Sequence, residues 1–168
     1  MPAAEIQLLR EEHAPALLAF ERDNRAWFAA SVPDRGDAYF AHFDERVRAN
    51  LDEQAAGVCR FHVLLAPDGA VLGRINLFDL VDGAADLGYR VAERAAGQGL
   101  ATWAVREILP LSATRYGLAT LRAASRTDNA ASRAVLTRTG FTPTGETRLS
   151  GHPGLTYARD LAEFRGLG

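Results

Sequence analysis

The chain has 168 residues, 48% hydrophobic and 24% charged, with a formal net charge of -2. That is enough for one compact domain with a sizeable core, and too balanced a charge for general nucleic-acid binding. All 19 basic residues are arginine, which excludes lysine Schiff bases and lysine-dependent phosphate loops; the single cysteine, Cys59, excludes an internal disulfide framework and a zinc ribbon.

In chain order, "IQLL" (6–9) predicts a short strand. "EEHAPALLAFERDNRAWF" (11–28) predicts one amphipathic helix with Leu17, Leu18, Phe20, Trp27 and Phe28 on its apolar side. After "SVPDRGD", residues 37–57 place Phe40, Phe43, Val47 and Leu51 at helical spacing and stop at Gly57. "VCRFHVLLA" (58–66) and "AVLGRINLFDL" (70–80) then read as a hairpin turning at "PDG". A further turn, "VDGA", leads into the strand "ADLGYRV" (85–91). The helix "LATWAVREILPL" (100–111), with Pro110 near its end, and the strand "LATLRAAS" (118–125) follow. "NAASRAVLTRTG" (129–140) is a short helix capped by Asn129 and stopped by Gly140. Strands near 141–149 and 154–161 close the chain as a hairpin. This order argues one α/β domain with a mixed sheet.

Charge is uneven along the chain. Residues 1–58 carry 11 acidic residues against 6 arginines, and residues 59–168 carry 10 against 13. Two solvated faces account for this; so does an anionic ligand on the later part and a cationic one on the earlier part. No apolar run is long enough to cross a bilayer, and the start lacks a basic segment followed by an apolar one, so a cytoplasmic protein is expected.

Two stretches carry chemistry. "ERAAGQGLATWA" (93–104) sets Gly97 and Gly99 between a strand and a helix. Such a turn is a tight helix cap, a dinucleotide-binding loop, or a nest of backbone N–H groups that holds phosphate at a helix N-terminus. The dinucleotide pattern asks for Gly or Ala where Thr102 stands, and for an acidic residue at the end of the next strand, which is absent. In "RTDNAASRAVLTRTGF" (126–141), Asn129 and Ser132 fall on one face of a helix start, as a cap and its neighbour or as ligand-binding groups. His13, His42, His62 and His152 have no metal-ligand spacing, and no metal is expected. Cys59 lies in an apolar strand and reads as core, as do Trp27 and Trp103 on helix faces, unless they line a site.

Taken together, "G-x-G-x-A-T" and, about 30 residues later, "N-x-x-S-x-x-V-L-x-x-x-G-F" resemble the GNAT superfamily of acyl-CoA-dependent N-acetyltransferases. "GRINLFDL", "DLGYRV" and "ERDNRAWF" look most like its ribosomal-protein-alanine N-acetyltransferase (RimJ/RimL-like) branch. The resemblance implies a single α/β (α+β) domain over residues 1–168, with a mixed, mostly antiparallel twisted sheet of about seven strands and helices on both faces. It implies acetyl-CoA as co-substrate, with Gly97, Gln98, Gly99, Leu100, Ala101 and Thr102 around its pyrophosphate and Arg94 adding charge. The pantetheine arm would follow the strand ending at Tyr89–Val91, splayed from 118–125 and bonded by Asn129; the Val91 N–H would hold the thioester carbonyl, and Ser132 would protonate the departing sulfur.

Three departures stand out. Ala96 occupies a position where relatives often carry Gln or Arg, and Leu136 one where many carry a Tyr acid. "RLSGHPG" has no carboxylate where some relatives place a base, leaving His152 and Asp86 as candidate bases. The implied reaction is acetyl transfer to a primary amine. The acceptor is either a protein N-terminal α-amine, drawn to acids such as Glu21, Asp23, Asp44 and Glu45, or a small amine such as an antibiotic, polyamine or amino-acid derivative. A non-catalytic acyl-CoA-binding domain is the third reading. No nucleic acid or membrane partner is implied, and a homodimer is left open.

Overall fold

The computed structural model describes residues 1–166. Among them, seven strands form one sheet in the order β1-β2-β3-β4-β5-β7-β6. The strands are β1 (Glu5–Leu8), β2 (Arg60–Leu65), β3 (Val71–Val81), β4 (Ala84–Val91), β5 (Thr120–Arg126), β6 (Thr142–Leu149) and β7 (His152–Asp160). The helices are α1 (Ala14–Asp23), α2 (Arg25–Ala29), α3 (Asp37–Ala41), α4 (Phe43–Ala55), α5 (Leu100–Thr114) and α6 (Ala130–Arg138). β4 and β5 pair in parallel; β1–β2, β2–β3, β5–β7 and β6–β7 pair antiparallel. The expected α/β fold with a mostly antiparallel sheet is therefore the one found.

Contacts gather into two compact units. The first comprises Met1–Leu77 and Tyr89–Leu100, the second Phe78–Gly88 and the chain from Ala101 onward. In the first, β3 is buried continuously from Val71 to Leu77, as expected of a strand covered on both faces. Leu17 and Phe20 of α1, with Phe43 and Val47 of α4, are almost fully buried. In the second, Leu121, Ala123 and Ser125 of β5 are buried while their neighbours are not, the period-2 pattern of a strand with one covered face. Two-residue turns at Asp82–Gly83 and Ser150–Gly151 have positive φ at both positions, the geometry that matches hairpin twist.

Two long expected helices are each broken. The 11–28 stretch becomes a short 3-10 turn (Glu11–His13), α1 and α2, with Asn24 at φ -109°, ψ 11° between them. Asn24 donates from Nδ2 to the Phe20 carbonyl and accepts the Glu93 backbone N–H at Oδ1, so a residue 69 positions away claims the break. Beyond it the apolar side no longer faces one way: Phe28 is buried but Trp27 is 42% exposed. The 37–57 stretch breaks at His42, φ -115°, ψ 34°. α5 runs past Pro110 to Thr114, with Ala104, Val105, Ile108 and Leu109 inward at helical spacing.

Candidate active site

The site builds outward from the end of β4, within the first unit. The Ala92 N–H donates to the Leu72 carbonyl at 2.8 Å. Successive N–H groups of a strand point to opposite edges, so the Val91 N–H and C=O point away from β3. The Val91 carbonyl accepts the Trp27 indole N–H at 3.3 Å, which places an exposed aromatic at that edge. The parallel ladder of β4 with β5 covers Ala84–Asp86 against Thr120–Arg122. Gly73 of β3 permits this close packing: a Cβ there would stand 2.9 Å from the Arg90 carbonyl oxygen and 3.5 Å from Val91 Cα.

The chain then enters the glycine loop. Glu93–Ala95 form a 3-10 turn, closed by Ala95 N–H to Ala92 O and Ala96 N–H to Glu93 O. The Gln98 side chain donates back to the Arg94 carbonyl at 2.9 Å and braces the turn. Gly97 and Gly99 have φ of +74° and +83°, and a Cβ on either would meet nothing within 4 Å. Glycine is required here by backbone conformation, in front of open space. Among the described residues, no backbone carbonyl outside the helices takes the amides of Gly97, Gln98 or Gly99. The first-turn amides of α5 at Leu100, Ala101 and Thr102 have no acceptor within the helix, and the helix dipole makes that end positive. Leu100 is buried and anchors the turn. Arg94 is exposed and lines a cleft of about 540 Å³ with Ala16, Asp23, Asn24 and Ala70.

The remaining candidates lie in the second unit. Asn129 caps α6: its Oδ1 accepts the Ser132 N–H at 3.1 Å, and both residues are half-buried. Asn129 Nδ2 is the polar group this cap does not use. Asp86 forms an ion pair with Arg122 at 2.8 Å, directly across the parallel ladder. His152 is exposed at the start of β7 and lies near enough to Asp128 to help hold that carboxyl below its usual range, behind the larger effect of Arg126. The Thr127 N–H to Pro153 carbonyl bond ties the α6 approach to this end of β7.

One group was hidden from sequence reasoning. Glu21 of α1 is 1% exposed, so it cannot draw a basic acceptor to the surface as expected. Its Oε1 accepts from Arg74 Nη1 at 3.0 Å and its Oε2 from Arg90 Nη1 at 3.2 Å, while Arg35 Nε approaches to 3.8 Å. Arg74 of β3 and Arg90 of β4 are thus brought to one carboxylate. Like charges so placed repel unless a counter-ion joins them, and Glu21 is that counter-ion. Arg90 stacks on the Phe28 ring at 4.4 Å and Arg35 on the Tyr39 ring at 4.8 Å. Burial holds the Arg90 guanidinium below its ordinary range; Glu21 opposes this, and Arg35 and Arg74 add to it. The signal in the sequence is Arg74 itself, a charge inside the apolar run "AVLGRINL" that must find a partner once buried.

Comparison with known proteins fits this geometry. Residues 5–142 match the family model described as an acetyltransferase (GNAT) domain. The chain belongs to the GNAT acetyltransferase family. It is 29% identical, over 123 residues, to the provisionally named ribosomal N-acetyltransferase YdaF of Bacillus subtilis (strain 168), a match that covers 72% of this chain and 65% of that protein. The GNAT fold extends over nearly the whole chain in solved structures. The ribosomal-protein-S5-alanine acetyltransferase of Vibrio fischeri superposes with a TM-score of 0.90 at 17% identity, covering 98% of this chain and 97% of that one. RimJ of Mycobacterium smegmatis, solved with a coenzyme A disulfide, superposes with a TM-score of 0.85 at 23% identity, covering 98% and 85%.

Proposed function

We propose that residues 1–168 act as one cytoplasmic N-acyltransferase domain that moves the acetyl group of acetyl-CoA to a primary amine, the N-terminal α-amine of a ribosomal-type protein being the best-supported acceptor. The observation that carries this reading is the end of β4: an outward-pointing Val91 amide followed at once by a loop of two positive-φ glycines in front of open space. The residues present fit the coenzyme. Backbone amides from Gly97 to Thr102 suit a pyrophosphate without any lysine. Tyr89–Val91 offer an extended backbone edge to the pantetheine arm, and Asn129 Nδ2 a donor.

The coenzyme supplies an activated acetyl thioester. The Val91 N–H would hold its carbonyl oxygen and polarise it. As the amine nitrogen bonds the carbonyl carbon and the C–S bond breaks, Ser132 Oγ would give its proton to the sulfur and take one back, through water, from the nitrogen; Leu136 has no proton to give. An α-amine has a pKa near about 8, against about 10.4 for a lysine side chain, so a useful fraction is neutral at physiological pH and little basic help is needed. Asp86 stands five residues before Val91 on the same strand, about 16 Å of extended chain, so it would act through water if at all. His152 is the other candidate to draw a proton from the amine. Two of the relatives bear the names of ribosomal N-acetyltransferases, one of them provisionally, and that supports a protein acceptor over a small amine.

Thiol release from acetyl-CoA, measured with free-amine peptides, N-terminally blocked lysine peptides, polyamines and aminoglycosides, tests the reading. Turnover with free α-amines and little with blocked lysine peptides is expected. Tight coenzyme binding with no turnover on any amine would instead establish a binding domain, and turnover confined to polyamines or aminoglycosides a small-amine enzyme.

A further inference from the structure

The arginines around Glu21 exceed what Glu21 needs. One buried carboxylate requires one good partner, yet three guanidinium groups converge on it. Asp34 and Asp37 both accept from Arg25, at 2.7–2.9 Å, so the one negative charge they leave over offsets only part of this surplus. Buried like charge without a matching counter-charge is expensive, so this surplus is unfavourable until an anion joins it. Arg74 is 5% exposed, and its Nε has no hydrogen-bond partner.

Position makes the surplus functional. Arg90 immediately precedes Val91, and Phe28, on which Arg90 stacks, immediately follows Trp27, whose indole bonds Val91. The side chains are graded in exposure, Arg74 at 6%, Arg90 at 21% and Arg35 at 34%, so Arg74 forms a buried floor and Arg90 and Arg35 reach solvent beside a cavity of about 10 Å³. Aromatic rings of Phe28 and Tyr39 lie under the two outer guanidinium groups, at 4.4 and 4.8 Å, and restrict them. That pre-organises them for a planar anion.

We infer that Arg35 and Arg90, on the Arg74–Glu21 floor, select the acceptor by binding a carboxylate that it carries close to its reacting amine. An N-terminus followed by Asp or Glu is then the preferred substrate and one followed by Lys or Arg the poorest, the reverse of what the acidic composition of the first third suggests. The inference rests on transfer to an α-amine and names the chemistry of that acceptor.

Three peptides with free N-termini, identical except for Asp, Ala or Lys at the second position, test it through kcat/KM. The expected order is Asp, then Ala, then Lys, spanning tenfold or more, carried mainly by KM and shrinking as salt is raised. Arg35→Glu should reverse the order while Arg35→Lys keeps it, a response that loss of a purely structural contact would not produce. Circular dichroism of each variant establishes that it is folded, and Arg35 is exposed enough to be replaced. Equal rates on the three peptides, a preference for Lys, or an order unmoved by Arg35→Glu in folded protein overturns the inference and leaves acetyl transfer standing. No turnover on any of the three overturns the α-amine reading, and the inference with it.

Discussion

The glycine loop and the arginine group around Glu21 lie in the same compact unit and adjoin the same residue, Val91, yet they are made in opposite ways. The loop is one contiguous stretch whose chemistry is in its backbone: two glycines with positive φ and a run of amides entering α5. The arginine group is made only of side chains, drawn from α1, the α2–α3 connection, β3 and β4, and the two arginines that bond Glu21 lie 53 and 69 positions after it. A backbone site is specified locally, and changing it should cost binding more than stability. A buried charge group is specified by tertiary packing, so changing it should cost stability first.

The largest expected effect breaks the charge group. Glu21→Leu removes the one carboxylate joining Arg74 and Arg90 and leaves a buried and a half-buried guanidinium group without it. Breaking a buried pair from one side typically costs about 3–5 kcal/mol. Urea denaturation should show a loss of that size. A loss within about 0.5 kcal/mol, the usual size for surface substitutions, would mean that the group is not held as the structure shows.

A pH titration of stability sharpens the comparison only after another group is accounted for. His62 of β2 is 2% exposed, with Nδ1 against the Ile75 carbonyl, and burial pushes its pKa from 6.5 down to about 4. The unfolded chain therefore binds a proton there more readily than the native chain. His62 favours the native state fully above pH 6.5, and that contribution is lost as pH falls towards 4. The loss should reach about 3 kcal/mol, from 1.36 kcal/mol per pKa unit. Replacing His62 by Gln should flatten this part of the curve, leaving what the carboxylates contribute.

Gly73→Ala acts on both regions at once. The new Cβ would press on the Arg90 carbonyl at 2.9 Å and on Leu64 Cδ1 at 3.0 Å, so the β4 backbone must move just before Val91. Overpacking of this kind costs about 1–3 kcal/mol. A fall in kcat in the folded variant, with coenzyme affinity less affected, is the expected signature. Unchanged kcat would detach Val91 from the chemistry.

The same contrast explains what was legible in the sequence. The loop, the α6 cap at Asn129 and the hairpins were readable because glycine, Asn and turn residues act on their own neighbourhood. The breaks at Asn24 and His42 were not, since helical periodicity continues through both. Asn24 is taken out of the helix by the Glu93 amide, far along the chain. Trp27 read as core or as lining a site, and its spacing alone did not choose between them; α2 turns it to the edge of β4 beside Val91. Glu21 read as a surface acid because nothing local marks a carboxylate that a strand 53 residues later will bury.

The smallest effect on stability is the most telling about the loop. Gly99→Ala forces a Cβ onto a residue at φ +83°, which costs about 1–2 kcal/mol from backbone strain alone. Gly57, in the α4–β2 connection, has φ +80° and likewise nothing within 4 Å of a Cβ. Gly57→Ala therefore carries the same strain at a place with no part in the loop. The two variants should lose similar stability in urea. Titration calorimetry with coenzyme A should then separate them, with Gly57→Ala binding as the parent does and Gly99→Ala at least tenfold more weakly, because its methyl group would enter the space that phosphate oxygens would need to approach the amides. If both variants bind coenzyme A alike, the glycines serve the turn alone and the amides after β4 hold no phosphate. If Gly99→Ala alone weakens binding, the open space in front of the loop is the space the coenzyme fills.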